Sequence, residues 1–222
     1  MGKPVRIEAG GSWLPPRLER LPDLSFRRLL GELAWRRLAP PVRERFSWKP
    51  APGAELRYIG IMAEVRSSAA GWLMAQLCRL AGTPIAPHRG RDVPVTVTLR
   101  LDGDHHGVVW ERLYRFPGRR AVCCRSAKVE RPADGLVECV GGGIGMWLRL
   151  SERAGALHFE SAGYFWELGR IRLRLPALLT PGALHVLHRD VGRGRFRFRI
   201  RVVHPLFGET FFQDGIFELA RS

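Results

Sequence analysis

The chain has 222 residues, 45% of them hydrophobic and 26% charged, a globular composition that argues against a disordered protein. It carries 36 Lys and Arg against 21 Asp and Glu, a formal charge of +15. Only three of these cations are lysines, which leaves 33 arginines, so the charge alone does not establish a phosphate-binding surface.

The N-terminal residues 1–22 are rich in proline and glycine and predict a flexible lead-in, followed by a single domain over residues 23–222. We find no apolar run long enough for a secretory signal or a transmembrane helix, and we therefore expect a cytoplasmic protein, free or peripheral to a membrane. The four cysteines form no Cys-x-x-Cys pair and predict free thiols.

Two helices are predicted before the sequence pattern changes. Asp23 is a suitable N-cap for a helix over residues 24–38, which Pro40 and Pro41 would end. A strand over residues 56–66 separates it from a second helix over residues 70–80, which we expect to cover an open end or the concave face of a sheet. The side chains of the second helix expected to point inward are Trp72, Leu73, Leu77 and Leu80.

From Val93 onward apolar and polar residues alternate with period two, which is typical of half-buried strands. Turn residues recur roughly every 8–12 positions, as in antiparallel sandwiches and barrels. The predicted fold class is therefore α+β and predominantly antiparallel β. We expect a long curled meander sheet, half-barrel or barrel of about ten strands with two N-terminal helices.

Arginines alternate with apolar residues near the C-terminus, so they lie on one sheet face as a candidate anion-binding stripe. The stripe consists of Arg195, Arg197, Arg199 and Arg201. A two-residue hairpin loop at Leu206-Phe207 would place Arg199 opposite Asp214 and Arg195 opposite Glu218, with Phe212 on the arginine side.

The preceding turn, over residues 192–194, would place Asp190 opposite Arg195 or Arg197. Acidic neighbours of this kind weaken the field that recruits phosphates, and nucleic acid is accordingly disfavoured as a partner.

Several stretches resemble a bacterial family, the domain of unknown function numbered 4166. They are residues 92–97, 118–119, 182–198 and 204–215, together with Leu29-Leu30-Gly31 and residues 40–43. The resemblance covers most of residues 24–219 and implies no catalytic residues. Members that are fused to reductases resembling saccharopine dehydrogenase imply a reductase-like protein partner.

Local motifs for chemistry are weak. The glycine run over residues 140–146 is followed by a strand pattern, so it predicts a bulge or sheet bend and no phosphate loop. The histidines do not converge with the spacing of a metal site, so no metal and no cofactor are predicted. The weak acid–base candidates are His188, Asp190, Glu209 and Asp214.

The leading functional hypothesis is a non-catalytic binding module with an apolar cavity for a hydrophobic small molecule. The aromatic residues expected to line it are Trp72, Trp110, Trp147, Tyr164 and Trp166. One alternative is peripheral binding of anionic membrane or nucleic acid through the arginine stripe. Another is an accessory domain of, or partner to, an oxidoreductase, in which case a desolvated carboxylate or histidine should lie in a cleft.

Overall fold

The computed structural model describes residues 24–48, 50, 53–80, 85–101 and 107–220, and the predicted lead-in lies outside them. Eleven antiparallel strands form one sheet in which nearly every strand pairs with its neighbour in sequence. The strands are β1 Glu55–Ser67, β2 Gly90–Leu101, β3 Val108–Tyr114, β4 Val122–Arg131, β5 Gly135–Gly141, β6 Ile144–Arg153, β7 Ala156–Leu168, β8 Ile171–Leu175, β9 Ala183–Gly192, β10 Arg195–His204 and β11 Gly208–Leu219.

The sheet closes on itself because β7 pairs with both β6 and β9. Ten strands therefore form a barrel, and β8 is an additional strand that pairs only with the second half of β7. Closure removes the open edges that so long a sheet would otherwise expose. The predicted fold class is confirmed.

Three short helices precede the barrel where one helix over residues 24–38 was expected. They are α1 Phe26–Leu30, α2 Glu32–Arg37 and α3 Pro40–Ser47. Gly31 has φ +84°, outside the helical region, and breaks the first two apart, while Ser25 caps α1 by accepting a hydrogen bond from the backbone N–H of Arg28. The proline pair ends α2 as expected, and it also begins α3, because proline suits the first turn of a helix.

Helices α1–α3 close the end of the barrel at which β6 turns into β7, here called the lower end. The backbone N–H of Ala39 donates to the carbonyl of Gly155 in that turn at 2.9 Å. Phe46 of α3 packs against Phe26 and against Phe159 of β7, with ring centroids 5.1 and 5.8 Å apart. The lower end is therefore filled with aromatic side chains.

Helix α4, Ala69–Leu80, packs on β11 with its small residues inward, and the prediction that its large apolar side chains point inward is wrong. Gly71 and Ala75 are buried, whereas Trp72, Leu73 and Leu77 are each more than half exposed. The reason is close approach, since the N–H of Ser68 donates to the carbonyl of Thr210 at 3.0 Å and leaves no room for larger residues. The side chain of Leu80 is not among those that the structure describes.

Gly71→Ala tests this docking. A Cβ at residue 71 would lie 2.1 Å from the carbonyl oxygen of Thr210, so α4 must move away from β11. We expect a loss of about 1–3 kcal/mol in the free energy of unfolding, measured by urea denaturation. Helix propensity alone predicts the opposite sign, a gain of up to about 1 kcal/mol. The control Leu73→Ala, on the exposed face, should stay within about 0.5 kcal/mol of wild type.

The predicted register of β10 and β11 is confirmed for Arg199 opposite Asp214 and Arg195 opposite Glu218. The predicted two-residue loop is wrong: His204 pairs with Gly208, which leaves three residues in the turn. A bulge at Thr210 then restores the register, so the two deviations cancel.

Other register predictions have mixed outcomes. Phe212 lies beside Arg199 and Arg66 on the arginine side, as predicted. Asp190 pairs with Phe196 and therefore faces neither Arg195 nor Arg197, because the extra residue Val191 bulges at the end of β9 and shifts the pairing by one residue. Within the described part of the chain, no helix is both long and apolar enough to cross a membrane.

Candidate functional site

The upper part of the barrel, opposite α1–α3, encloses a cavity of about 230 Å³. Side chains from every strand between β3 and β11 line it, together with the end of α4 and the segments that follow α4 and β8. The apolar lining includes Ile85, Val140, Ile144, Met146, Phe159, Leu175, Leu179, Leu184, Val186, Phe198, Ile200, Val202 and Phe211. This is the concave, mostly apolar space that small-molecule sites share.

Polarity in the cavity increases with depth. Along β9, Leu184 lies nearest the upper end, Val186 follows, and His188 lies deepest, where its ring is 5.0 Å from that of Phe46 in the lower-end helices. The same direction along β4 leads to Ser126 and then Lys128. The mouth is therefore apolar, and the polar groups form the floor.

Four polar residues make a cluster at this floor, hereafter the polar cluster: Arg112, Ser126, Lys128 and Glu138. Glu138 Oε1 accepts hydrogen bonds from Ser126 Oγ at 2.6 Å and Lys128 Nζ at 2.9 Å. The guanidinium of Arg112 donates to Ser126 Oγ at 3.3 Å and lies 3.9 Å from the same carboxylate oxygen. One carboxylate thus serves two cations, so the polar cluster carries one excess positive charge.

The protonation of the polar cluster follows from burial and mutual attraction. Burial alone would raise the pKa of Glu138, but the charges of Lys128 and Arg112 and the hydrogen bonds to the carboxylate hold this pKa below its usual range. Burial lowers the pKa of Lys128, and the attraction of Glu138 offsets part of that effect. The 2.9 Å contact between Lys128 Nζ and Glu138 Oε1 has the geometry of a buried ion pair.

Two buried polar atoms beside the polar cluster have no hydrogen-bond partner among the described residues. They are Nε1 of Trp110 and Nδ1 of His188. Trp110 is 6% exposed, His188 is 3% exposed, and both residues line the cavity. Since nearly all buried polar atoms in proteins are paired, these two are exceptions within the cavity lining.

The five predicted aromatic residues occupy four different places. Trp110 and Tyr164 line the cavity. Trp147 lies on the outer barrel face against Phe165, and Trp72 lies on the exposed face of α4, so neither belongs to the cavity lining. For Trp147, hydrophobicity could not indicate which sheet face points inward, because both faces are apolar there.

Trp166 lies beyond the mouth on the same sheet face as the lining, because its cross-strand partner Ile144 lines the cavity. Its other neighbour, Leu173 of β8, continues this face. The hairpin formed by β7 and β8 thus extends the apolar wall outward as an exposed apolar lip, with exposed fractions from 39% to 62%. The lip consists of Trp166, Leu168, Ile171 and Leu173.

The arginine stripe lies outside the barrel and is partly neutralised. Arg197 and Arg199 donate to Asp214 at 2.8 and 3.2 Å. Arg201 donates to Glu209 at 2.9 Å. Arg195 is exposed opposite Glu218. The stripe thus faces solvent with much of its charge paired.

The weak acid–base candidates are not assembled into one site. Glu209 and Asp214 are the acidic partners of the stripe on the outer surface. Asp190 accepts a hydrogen bond from the backbone N–H of Gly192, in the turn between β9 and β10. Only His188 lines the cavity. Among the described residues, no group of three or more His, Cys, Asp or Glu side chains could hold a metal ion.

The polar cluster was not anticipated from the sequence. Lys128 and Glu138 lie at positions where the period-two alternation of β4 and β5 turns a side chain into the barrel, which was the available indication. Lys128 is also one of only three lysines in an arginine-rich chain. A charged residue at an inward position is exceptional, and this is how such a floor can be recognised.

Comparisons with known proteins place this fold in a family without assigning a role to the cavity. Searches of curated proteins and of solved structures each gave no match. The sequence model of one family, described as "Domain of unknown function (DUF4166)", matches residues 38–217, which include β1–β10 and all but the last two residues of β11. The match covers well over half of the sequence, and the chain therefore belongs to the DUF4166 family.

Proposed function

We propose that the protein is a binding module that holds a hydrophobic small molecule in the barrel cavity. The observation that carries the proposal is a mostly apolar cavity whose floor contains two buried polar atoms without partners, on Trp110 and His188. By contrast, the hydroxyl groups of Tyr114 and Tyr164 in the same wall donate to Gln213 and to the carbonyl of Gly182. Among the described residues that line the cavity, the buried polar atoms without a partner are those on Trp110 and His188.

The cavity volume limits the size of the ligand. At about 230 Å³ it exceeds the roughly 150 Å³ that accommodates benzene, and it is smaller than the roughly 300–1,000 Å³ of drug-sized sites. A one- or two-ring compound or a medium-length chain fits inside, and a larger molecule, such as a three-ring dye, would extend along the apolar lip. Trp166 of the lip is then a contact at the entrance.

A filled-cavity variant tests this proposal. Val186→Phe adds a ring to the wall, while Val191→Phe makes the same change on the same strand at a residue that is 41% exposed. We expect N-phenyl-1-naphthylamine, a neutral fluorescent probe, to bind wild type and Val191→Phe alike. Its affinity for Val186→Phe should fall at least about tenfold, the loss of roughly 1.4 kcal/mol of binding free energy.

Native mass spectrometry of the freshly purified protein provides an independent readout, with a co-purifying molecule expected on wild type and not on Val186→Phe. Circular dichroism establishes that both variants are folded. The proposal is wrong if wild type neither retains a molecule nor binds the probe, or if Val186→Phe binds the probe as well as wild type does.

Catalysis is a second candidate, because the cavity holds a desolvated carboxylate and a desolvated histidine, as an enzyme site would. Binding is favoured over it by the state of these groups. Glu138 already accepts from Ser126 and Lys128 and is held ionised, so it is a poor base. Among the described residues, Nδ1 of His188 has no hydrogen-bond partner that would orient its ring. A reductase-like partner remains a prediction from the family resemblance.

A further inference from the structure

The floor of the cavity has more hydrogen-bond donors than acceptors. Arg112, Lys128 and Trp110 have side chains that only donate. The acceptors beside them are Glu138, whose Oε1 already receives two donors, the hydroxyl of Ser126, which receives one from Arg112, and one ring nitrogen of the neutral His188. The indole N–H of Trp110 has no acceptor among the described residues.

The charges at the floor are unbalanced as well, since positive groups outnumber negative ones. Two cations share the single carboxylate of Glu138, and the side chain of Arg112 is only 12% exposed. Lys128 lies 4.9 Å from the ring of Trp110 and 5.7 Å from that of Phe159, so apolar groups surround its charge. An excess positive charge in such surroundings is stabilised by an anion that enters the cavity.

We propose that the cavity takes an amphiphile with one carboxylate, whose anionic group binds Arg112, Lys128 and Trp110 while its apolar part lies against the upper wall. The inference rests on the proposed function and names the ligand class. A carboxylate accepts and never donates when ionised, which is what the floor lacks. The guanidinium of Arg112 can engage both of its oxygens. The volume restricts the apolar part to roughly the size of a medium-length chain.

Competition between two chains of equal length tests the inference. Octanoate and 1-octanol displace N-phenyl-1-naphthylamine from the same cavity but differ in the anionic group. We expect octanoate to bind wild type at least about tenfold more tightly than 1-octanol at pH 7. Arg112→Met should remove this preference while leaving the affinity for 1-octanol within a few-fold of wild type.

Arg197→Met is the matched control, because Arg197 lies on the outer surface beside Asp214 and should leave both affinities unchanged. If Arg112→Met does not fold, the wild-type comparison alone decides the question. Equal or tighter binding of 1-octanol overturns the inference and leaves the proposed function intact. Failure of the probe, 1-octanol and octanoate alike to bind overturns both.

Discussion

Glu138→Gln should lower the free energy of unfolding by about 3–5 kcal/mol at pH 7, the largest effect we expect from a single substitution in this protein. The shape of the side chain is preserved, so no void forms. What is lost is the negative charge that compensates Lys128 at 2.9 Å and Arg112 at 3.9 Å. Chemical denaturation in urea, followed by tryptophan fluorescence, measures the change.

Deprotonation of Lys128 limits how much free energy of unfolding this variant can lose through the lysine charge. Without its partner this lysine can fold in the neutral form, which costs about 4.6 kcal/mol at pH 7 for a group that titrates near 10.4 when unfolded. Its folded pKa then lies below the unfolded value, so the unfolded chain binds more protons between the two. The stability of Glu138→Gln should therefore rise relative to wild type as the pH increases from 7 to 9.

Two further variants separate charge imbalance from general damage. The double variant Lys128→Met/Glu138→Gln removes both charges and should recover most of the loss. Glu209→Gln, in an exposed pair with Arg201, should cost no more than about 1 kcal/mol. A double variant as unstable as Glu138→Gln would contradict our description of the polar cluster.

The barrel was predictable because alternation along each strand is a local property. Inward and outward faces follow from period two, which is why the placement of the arginine stripe on one face was correct. The pairing of Arg199 with Asp214 was correct because a longer turn and a bulge cancel. Bulges are not local in this sense. The extra residue at Thr210 and the shift after Arg195 depend on the neighbouring strands, and the second of these moved Asp190 out of the predicted pair.

Helix α4 shows a different limit. Its sequence offers two faces, one with large apolar residues and one with Gly71, Ala75 and Cys78. Hydrophobicity favours the first, whereas the backbone of β11 at Thr210 comes so close that only the second fits. The choice depends on the distance between α4 and β11, which no property of residues 69–80 encodes.

The site was harder to predict than the fold because closure brings its parts together across the barrel. Trp110 and His188 come from strands far apart in sequence, yet their rings are 6.2 Å apart. Aromatic content suggested a cavity and correctly included Trp110 and Tyr164 among residues that line it. It gave no reason to expect the polar cluster, because the contact of Lys128 with Glu138 depends on the pairing of β4 with β5.

A second large effect should appear in the pH dependence of stability, through His188. Burial, followed by the charges of Arg45, Lys128 and Arg112, holds the pKa of His188 well below its usual 6.5. Below pH 6.5 the unfolded chain therefore binds a proton that the folded chain does not. For this group the free energy of unfolding is constant above pH 6.5 and falls by up to about 1.4 kcal/mol per pH unit below it.

His188→Phe removes the titration while keeping a ring among Phe46, Phe159 and Phe198. Between pH 6.5 and 5.5, before the carboxylates titrate, its loss of stability should be about 1 kcal/mol smaller than that of wild type. His88→Gln, at a partly exposed residue, should retain most of the wild-type slope. Equal slopes in wild type and His188→Phe would mean that His188 takes up a proton in the folded protein. The cavity floor would then tolerate a further positive charge, which also contradicts the excess of cations that makes a carboxylate ligand favourable.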